Sequence, residues 1–467
     1  MHLAVTILLS VKRASEVTSF RFRPVRRASC YDLIILGIYY IALFPGRPTY
    51  DLEIITDMMQ IGKSAATWSP LYFRLAQVIT FNGHFLGLFS LVGLFTLYFS
   101  FKFMVSCFGF SSDLEHRVRA IVVTLPIFGF FGLTVNHDVF AVSGILLLTG
   151  LLIRTPFDLS VRHDGVIILA SVFLCSMSWL GIASFLGFVC ALFFRRHFAM
   201  VLASTMMLAL SVIGSAIVLN VDPGPSNRWL PILGDLKCIA QDADSSITQS
   251  QWIVLSKLAS KEDWLTPASC VIADFAPDAA EQNIGANPAE SLKLWAELTL
   301  ANQKLVAEAH LQRAAVALPP FFSSPPPNTY SSDYLLPIGS DVPANLFQFS
   351  EFLNTSRDVG RFEPPPKFVK PFEIILINTA FLFNRTSSFW GWGGLWITFA
   401  FFLQFLLFRN LRFTAYFPLL FSHLLLLVAS PGPISRYVFG SILFGLAWSV
   451  AALFAAGDRK APTAVGT

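Results

Sequence analysis

The sequence predicts an all-α polytopic membrane protein with about ten transmembrane helices and a small, mostly helical or irregular extracytoplasmic domain. Composition is the first reason. Hydrophobic residues make up 54% of the 467 residues and charged residues only 13%, far from the composition of soluble domains. The second reason is arrangement, because the apolar residues form long runs with positively charged residues at alternate ends.

The predicted spans follow from the thickness of a bilayer, whose core of about 30 Å needs about 20 apolar residues per helix, or somewhat fewer when flanking side chains reach the interface. The stretch from 165 to 194 is apolar enough for one span or two short ones. We predict two, because the helix parity then agrees with the charges. The spans are expected near residues 29–46, 84–106, 118–135, 139–155, 164–179, 181–195, 198–220, 388–408, 413–431 and 435–456.

The distribution of basic residues predicts the orientation. Several arginines and lysines precede the first span, so the positive-inside bias predicts a cytoplasmic N-terminus, and alternation places Arg117, Arg119, Arg154 and Arg195 on the same side. We expect a multi-pass protein of a bacterial inner membrane, with its large loop outside the cytoplasm. The predicted parts are a basic cytoplasmic tail (1–28), an N-terminal transmembrane module (29–220) with its first external loop (47–82), an extracytoplasmic domain (221–387), C-terminal transmembrane helices (388–456) and a cytoplasmic tail (457–467).

The extracytoplasmic domain is acidic. It holds 18 of the chain's 29 acidic residues but only 12 of its 33 basic ones, and it shows no basic aromatic groove, so nucleic acid is not expected as a partner. Residues 250–258 and 288–317 have helix-like patterns, and proline clusters indicate extended connectors.

Cys238 and Cys270 are the two cysteines predicted to lie on the outer side. An oxidising compartment would let them form a disulfide, which would close a loop of about 30 residues and stabilise it by about 3 kcal/mol. Two unpaired thiols are the alternative. No two cysteines in the chain lie two to four residues apart, so a cysteine metal site is not expected.

The first external loop carries the residues best suited to chemistry. After the first span the chain reads Arg47-Pro48-Thr49-Tyr50-Asp51, followed by Asp57 and then by Ser69-Pro70-Leu71-Tyr72. A carboxylate at the membrane interface stays charged and still meets lipid-anchored substrates, so Asp51 is the best-placed general base. Asp57 lies about a turn and a half further, near the opposite side of the same predicted helix. Asp51 is also suited to cap that helix, and the two roles are compatible.

Two further outer turns carry candidate residues. Asn136-His137-Asp138 opens the fourth span, where an ionisable group serves a pathway, a partner or a helix cap. His137 suits phosphate or metal binding, and a solvated interfacial histidine is the alternative. Arg436-Tyr437 follows a proline-rich turn before the last span, where arginine suits a phosphate because its planar fork binds two oxygens and stays charged. Anchoring at the lipid headgroups is the alternative role for this pair.

The three turns together resemble the outer face of GT-C-type glycosyltransferases, which take sugars from polyprenyl phosphates. The resemblance rests on Tyr50-Asp51 and Ser69-Pro70-Leu71-Tyr72 in the first loop, on Asp138, and on Arg436-Tyr437. It implies that Asp51 is the catalytic base, that Asp138 is a second acidic catalytic residue, and that Arg436 contacts the lipid phosphate. The full set of implied and predicted site residues is Asp51 and Asp138 (catalytic), Arg436, Arg47, Arg74 and Tyr437 (donor phosphate), and Tyr50, Asp57 and His137 (supporting).

The function implied by the resemblance is an inverting transfer of a sugar from a polyprenyl-phosphate donor to a glycan or lipid-linked acceptor on the extracytoplasmic face. The partners are the donor, the acceptor and the lipid bilayer. No cofactor is required, no metal site is assigned, and a divalent ion bridging Asp51 and Asp138 is left open. No glycine-rich phosphate loop follows a strand, which agrees with a donor that is not a nucleotide sugar.

Two other classes of function remain as alternatives. A secondary transporter or flippase of lipid-linked saccharides would need ionisable residues deep in its spans and an internal repeat, and the predicted mid-span positions are nearly free of charge. A non-catalytic membrane scaffold or an O-antigen polymerase-like protein would also display a large external loop. Such polymerases tend to use external arginines, whereas this loop is acidic.

Overall fold

The computed structural model is helical throughout the part of the chain that it describes. The described residues are 29–44, 46, 69–154, 161–218, 229–266, 277–318, 371, 374–375, 392–405, 413–430 and 435–458.

The helices are numbered here in chain order. The first group is α1 (Cys30–Ala42), α2 (Pro70–Thr80), α3 (Leu86–Ser106), α4 (Ser112–Thr124), α5 (Pro126–Gly132), α6 (Asp138–Arg154), α7 (Val161–Cys175), α8 (Trp179–Phe194) and α9 (Phe198–Val218). The second is α10 (Leu230–Gln241), α11 (Gln249–Leu258), α12 (Lys261–Leu265), α13 (Asp278–Ile284), α14 (Pro288–Ala301), α15 (Gln303–Arg313) and a 3-10 turn (Ala315–Ala317). The third is α16 (Gly393–Leu403), a 3-10 turn (Phe413–Tyr416), α17 (Phe417–Ala429), a 3-10 turn (Ser435–Val438) and α18 (Phe439–Asp458).

The first and third groups pack into one apolar bundle around α6. Nearly every residue of α6 is buried, and it contacts α3, α7, α8, α17 and α18. Glycines allow these close contacts. A Cβ at Gly150 of α6 would lie 3.0 Å from the Phe103 ring, and one at Gly93 of α3 would lie 3.5 Å from Val139. The start of α3 therefore meets the start of α6, and the two helices run parallel. We call the two ends of the bundle the Asp138 end and the Arg154 end.

Successive passes through the bundle run in alternating directions. Asp164, near the start of α7, pairs with Arg154, and Arg195, after the end of α8, donates to the Leu152 carbonyl. The last pass ends at the same place, where the Arg117 guanidinium lies 5.2 Å from the centre of the Phe454 ring. The basic residues predicted to share one side of a membrane therefore lie at one end of the bundle, the Arg154 end.

The helices follow the predicted segments with one difference of note. The stretch from 165 to 194 divides into two helices, as predicted, with Ser178 in an extended conformation between them. The segment predicted as one span at 118–135 is instead two helices. Leu125 is extended (φ −65°, ψ 126°), because the ring of Pro126 disfavours a helical conformation in the preceding residue.

The outer surface of the bundle is apolar. On α9, Leu202, Met206, Leu210 and Ile213 are each more than half exposed, and their spacing places them on one face. Among the residues whose side chains the structure describes, α3 is long and apolar enough to cross a membrane, and the other apolar stretches, including 198–213 of α9 and 439–454 of α18, measure 10–17 residues. Each of the ten predicted spans overlaps at least one described helix, and of these helices α3 has both the length and the composition of a full crossing, so the number of spans stays a prediction.

The second group of helices forms a separate unit with its own core, which includes Leu236, Trp264 and Leu298. The predicted helix at 250–258 is confirmed as α11. The prediction of one continuous helix over 288–317 is wrong. The backbone leaves the helical conformation at Asn302 (φ −124°, ψ 38°), and the chain continues as α15 and a 3-10 turn. This unit, called the external domain below after its predicted location, contacts the bundle through that turn, where the Trp392 indole donates to the Ala315 carbonyl.

Candidate functional site

The Asn136-His137-Asp138 turn lies at the start of the most buried helix of the bundle. Asn136 and Asp138 are 0% and 2% exposed. The Asn136 side-chain oxygen accepts from the Asp138 backbone N–H at 3.3 Å, and the His137 carbonyl accepts from the backbone N–H of Phe140 at 3.1 Å. The turn therefore holds a carboxylate at the helix N-terminus, where the helix dipole favours negative charge.

His137 connects this carboxylate to α2. Its Nε2 lies 3.3 Å from Oδ1 of Asp138, and its ring packs edge-on against the Tyr72 ring with centroids 5.6 Å apart. Tyr72 and Phe73 are fully buried in a cluster that includes Phe89 of α3. The end of the predicted first loop is thus packed against the Asp138 turn.

Gly46, just before the same loop, packs beside the residue that precedes the Asp138 turn. Its φ of +144° lies in the region that favours glycine. A Cβ here would collide with the Ser90 hydroxyl and would lie 3.0 Å from Val135, the residue before Asn136. The described residues on either side of the segment 47–68 therefore lie beside the Asp138 turn.

The predicted first loop is described from Ser69 onwards. Arg47, Tyr50, Asp51 and Asp57 lie outside the described residues. Arg74 is described. It is exposed on α2, and its guanidinium donates to Gln77 Oε1 at 2.8 Å.

The backbone of Arg436 and Tyr437 lies in the 3-10 turn that precedes α18. Phe439, directly after this turn, stacks on Phe131 with ring centroids 3.9 Å apart. A Cβ at Gly440 would lie 3.8 Å from Val142, one turn into α6. The turn is therefore at the Asp138 end. Tyr437 is partly buried, and the side chain of Arg436 lies outside the described atoms.

A buried charged cluster at the Arg154 end was missed by the sequence analysis. Oδ2 of Asp32 accepts from Arg119 Nε at 2.5 Å and from the Tyr98 hydroxyl at 2.7 Å. Lys102, one turn after Tyr98, is also buried. Asp32, Lys102 and Arg119 lie near the ends of their predicted spans, outside the mid-span positions that are expected to be nearly free of charge. The i, i+4 spacing of Tyr98 and Lys102 on an otherwise apolar helix was the available signal.

The external domain contains a second buried ion pair. Asp235 pairs with Arg313, and both are no more than 1% exposed. His310 Nε2 lies 3.1 Å from Asp235, and the Trp295 indole donates to Asp235 at 2.9 Å. Burial opposes ionisation of Asp235, but the hydrogen bonds from His310 and Trp295 and the charge of Arg313 hold the pKa of this carboxyl below its usual value.

Cys238 of α10 is disulfide-bonded. The four other described cysteines, Cys30, Cys107, Cys175 and Cys190, are free thiols. Cys270 lies outside the described residues, so its predicted pairing with Cys238 stays a prediction. Among the described residues, no group of three or more His, Cys, Asp or Glu side chains is arranged to hold a metal ion.

These features define an all-helical protein with an apolar bundle, a helix able to cross a membrane and a polar turn at one end of that bundle. No protein-family model and no curated protein matches the chain. Among solved structures the chain is similar to the cryo-EM structure of arabinosyltransferase EmbB from Mycobacterium smegmatis, with a TM-score of 0.33 and 14% identity over 98% of this chain. The match covers 44% of that protein, so this chain spans less than half its length.

Proposed function

We propose that the chain is a multi-pass GT-C-type glycosyltransferase of a bacterial inner membrane. On this proposal it transfers a sugar from a polyprenyl-phosphate donor to a glycan or lipid-linked acceptor on the extracytoplasmic face. One observation carries it. The two ends of the first loop, the Asp138 turn and the Ser435–Val438 turn all lie at one end of the bundle. The three turns that resemble the GT-C outer face are thus candidates for a single cavity.

Chain length limits where the proposed base can be. Asp51 follows Gly46 by five residues, and five residues extend at most about 18 Å. Since Gly46 packs beside Val135, the connection from Gly46 is long enough to let Asp51 reach the Asp138 turn. This reach supports one site that contains both carboxylates.

The apolar surface of the bundle supports the membrane part of the proposal. Rows of exposed apolar side chains such as those on α9 are costly in water and are expected where lipid covers the protein. Shorter helices can cross when neighbouring residues reach the interface or when the bilayer thins locally. The basic residues at the Arg154 end then face the cytoplasm.

The proposed reaction is a single displacement. Asp51 takes the proton of an acceptor hydroxyl as that oxygen forms a bond to the anomeric carbon. The bond from that carbon to the phosphate oxygen breaks, and polyprenyl phosphate leaves with the electron pair, which inverts the anomeric configuration. Arg436, with Arg47, Arg74 and Tyr437, stabilises the charge on the departing phosphate, and Asp138 is the second acidic residue of the site.

The test is a comparison of two aspartates in the same loop. Cells that lack the chain are supplied with wild type, Asp51→Asn or Asp57→Asn, and their surface glycans are measured by mass spectrometry. Loss of a general base typically costs 10²- to 10⁴-fold in rate, so Asp51→Asn should abolish the product, while Asp57→Asn, at a supporting position, should lower it much less. Both variants should insert in the membrane normally. Full product with Asp51→Asn would require another base.

Transport of lipid-linked saccharides is a second candidate, favoured by one observation. Asp32, Lys102 and Arg119 are buried within predicted spans, and such residues often serve transport pathways. The cluster lies at the opposite end from the Asp138 turn and is paired internally, so we rank this candidate second. A flux assay in vesicles separates the two, since Asp51→Asn should leave any saccharide flux unchanged.

A further inference from the structure

His423 of α17 lies between the external domain and the first turn of α18. Its side chain is 6% exposed. Nδ1 lies 2.7 Å from the Ala317 carbonyl oxygen, and Nε2 lies 2.8 Å from Oγ of Ser441. A carbonyl oxygen can only accept, so Nδ1 donates to Ala317. In the neutral ring Nε2 then accepts from the Ser441 hydroxyl.

Ala317, one of the two hydrogen-bond partners of His423, belongs to the external domain. Arg313, at the end of α15, pairs with Asp235 and donates to the Pro231 carbonyl at 3.1 Å, which fixes the chain just before the 3-10 turn. A Cβ at Gly394 of α16 would collide with the backbone of Leu318. The turn is therefore held closely between the external domain and the bundle.

Ser441, the other hydrogen-bond partner of His423, follows the Arg436-Tyr437 turn, which is the candidate contact for the phosphate of the sugar donor. Ser441 is buried in the first turn of α18, four residues after Tyr437. Val438, within the intervening turn, packs so closely on Gly393 that a Cβ there would collide with it. The position of the Arg436-Tyr437 turn thus depends on the same small set of contacts that receives the external domain.

We infer that His423 is a positioning residue that ties the external domain to the Arg436-Tyr437 turn. The turn keeps its place because one imidazole bonds both to the last turn of the external domain and to the helix that follows Arg436. The inference rests on the proposed function in assigning the donor phosphate to this turn.

Amide hydrogen exchange of the full-length protein in detergent tests the positional link without any substrate. The side-chain nitrogen of asparagine would occupy the position of Nδ1, whereas glutamine extends to the position of Nε2. His423→Gln therefore keeps a polar group beside Ser441 and leaves the Ala317 carbonyl without its donor. His423→Gln should speed exchange in both 315–318 and 435–441 about tenfold, because a buried hydrogen bond to Ala317 is lost. Ser441→Ala should speed exchange in 435–441. The matched control is Ser422→Ala. The buried Ser422 hydroxyl donates to the Leu419 carbonyl within its own helix.

A binding measurement with undecaprenyl phosphate tests the consequence for the site. The Kd should rise severalfold in His423→Gln and stay at the wild-type value in Ser422→Ala. Wild-type exchange in 435–441 in both His423→Gln and Ser441→Ala would overturn the inference, as would faster exchange there with an unchanged Kd. If wild-type protein does not bind undecaprenyl phosphate, the proposed function fails, and the exchange data still decide the link.

Discussion

Phe131 and Phe439 stack with their ring centroids 3.9 Å apart, and this contact joins the segment that leads to Asp138 with the segment that follows Arg436. The two turns are more than 290 residues apart in the chain, yet they occupy the same end of the bundle. On the proposed function, a substrate bound at one turn therefore lies near the other.

The buried pair of Asp235 and Arg313 should be essential to the external domain. Asp235→Ala leaves a buried arginine without its partner and should cost about 3–5 kcal/mol, measured as thermal unfolding in detergent. The matched control is the exposed pair of Lys257 and Glu290, at 2.8 Å, where Glu290→Gln should cost less than about 1 kcal/mol. Equal losses from both changes would contradict the role of burial.

The lowered pKa of the Asp235 carboxyl predicts that the free energy of unfolding depends on pH. The folded-state pKa of Asp235 is lowered from the usual 3.8 by the hydrogen bonds and positive charge around it, against the opposing effect of burial. Its stabilising contribution is therefore fully present above the unfolded pKa and is lost as the pH falls through the lower, folded pKa. The difference in unfolding free energy between wild type and Asp235→Asn should shrink below about pH 3.8. A difference that grows on acidification would contradict this sign.

Alanine substitutions at two helical glycines should change the stability of the bundle in opposite directions. A Cβ at Gly187 of α8 would lie 2.5 Å from the Phe417 carbonyl oxygen, so Gly187→Ala should force α8 and α17 apart and destabilise the bundle by roughly 1–3 kcal/mol. A Cβ at Gly37 of α1 meets nothing within 4 Å, so Gly37→Ala should raise stability by up to about 1 kcal/mol. Melting temperatures in one detergent give both values, and a stabilising Gly187→Ala would show that the helices are not in contact.

The buried cluster at the Arg154 end should hold α1, α3 and α4 together. Arg119→Met leaves Asp32 buried without its cation and should lower stability by about 3–5 kcal/mol. Adding Asp32→Leu to it should recover much of the loss, because the unpaired charge is then gone. A double variant that is as unstable as Arg119→Met alone would mean that packing, not charge, dominates at this cluster.

The sequence predicted the helical passes and the location of the basic residues because both depend on local composition. Gly165 to Phe194 was divided correctly by its interruption at 176–181, whereas the break at Leu125 was missed although Pro126 signalled it. Contacts between distant segments were not predictable in this way. Nothing local to His423 indicates that its partners are Ala317 and Ser441, since the pairing depends on how the external domain meets α17. The buried position of Lys102 likewise follows from packing.

Labelling of introduced cysteines tests the central claim most directly. Asp51→Cys and Arg436→Cys are each treated, in intact cells and in inverted vesicles, with a maleimide that does not cross membranes, and wild type gives the background of the native thiols. We predict that both positions react from the extracytoplasmic side and that bound undecaprenyl phosphate slows both reactions. Reaction of the two positions from opposite sides of the membrane would contradict the account.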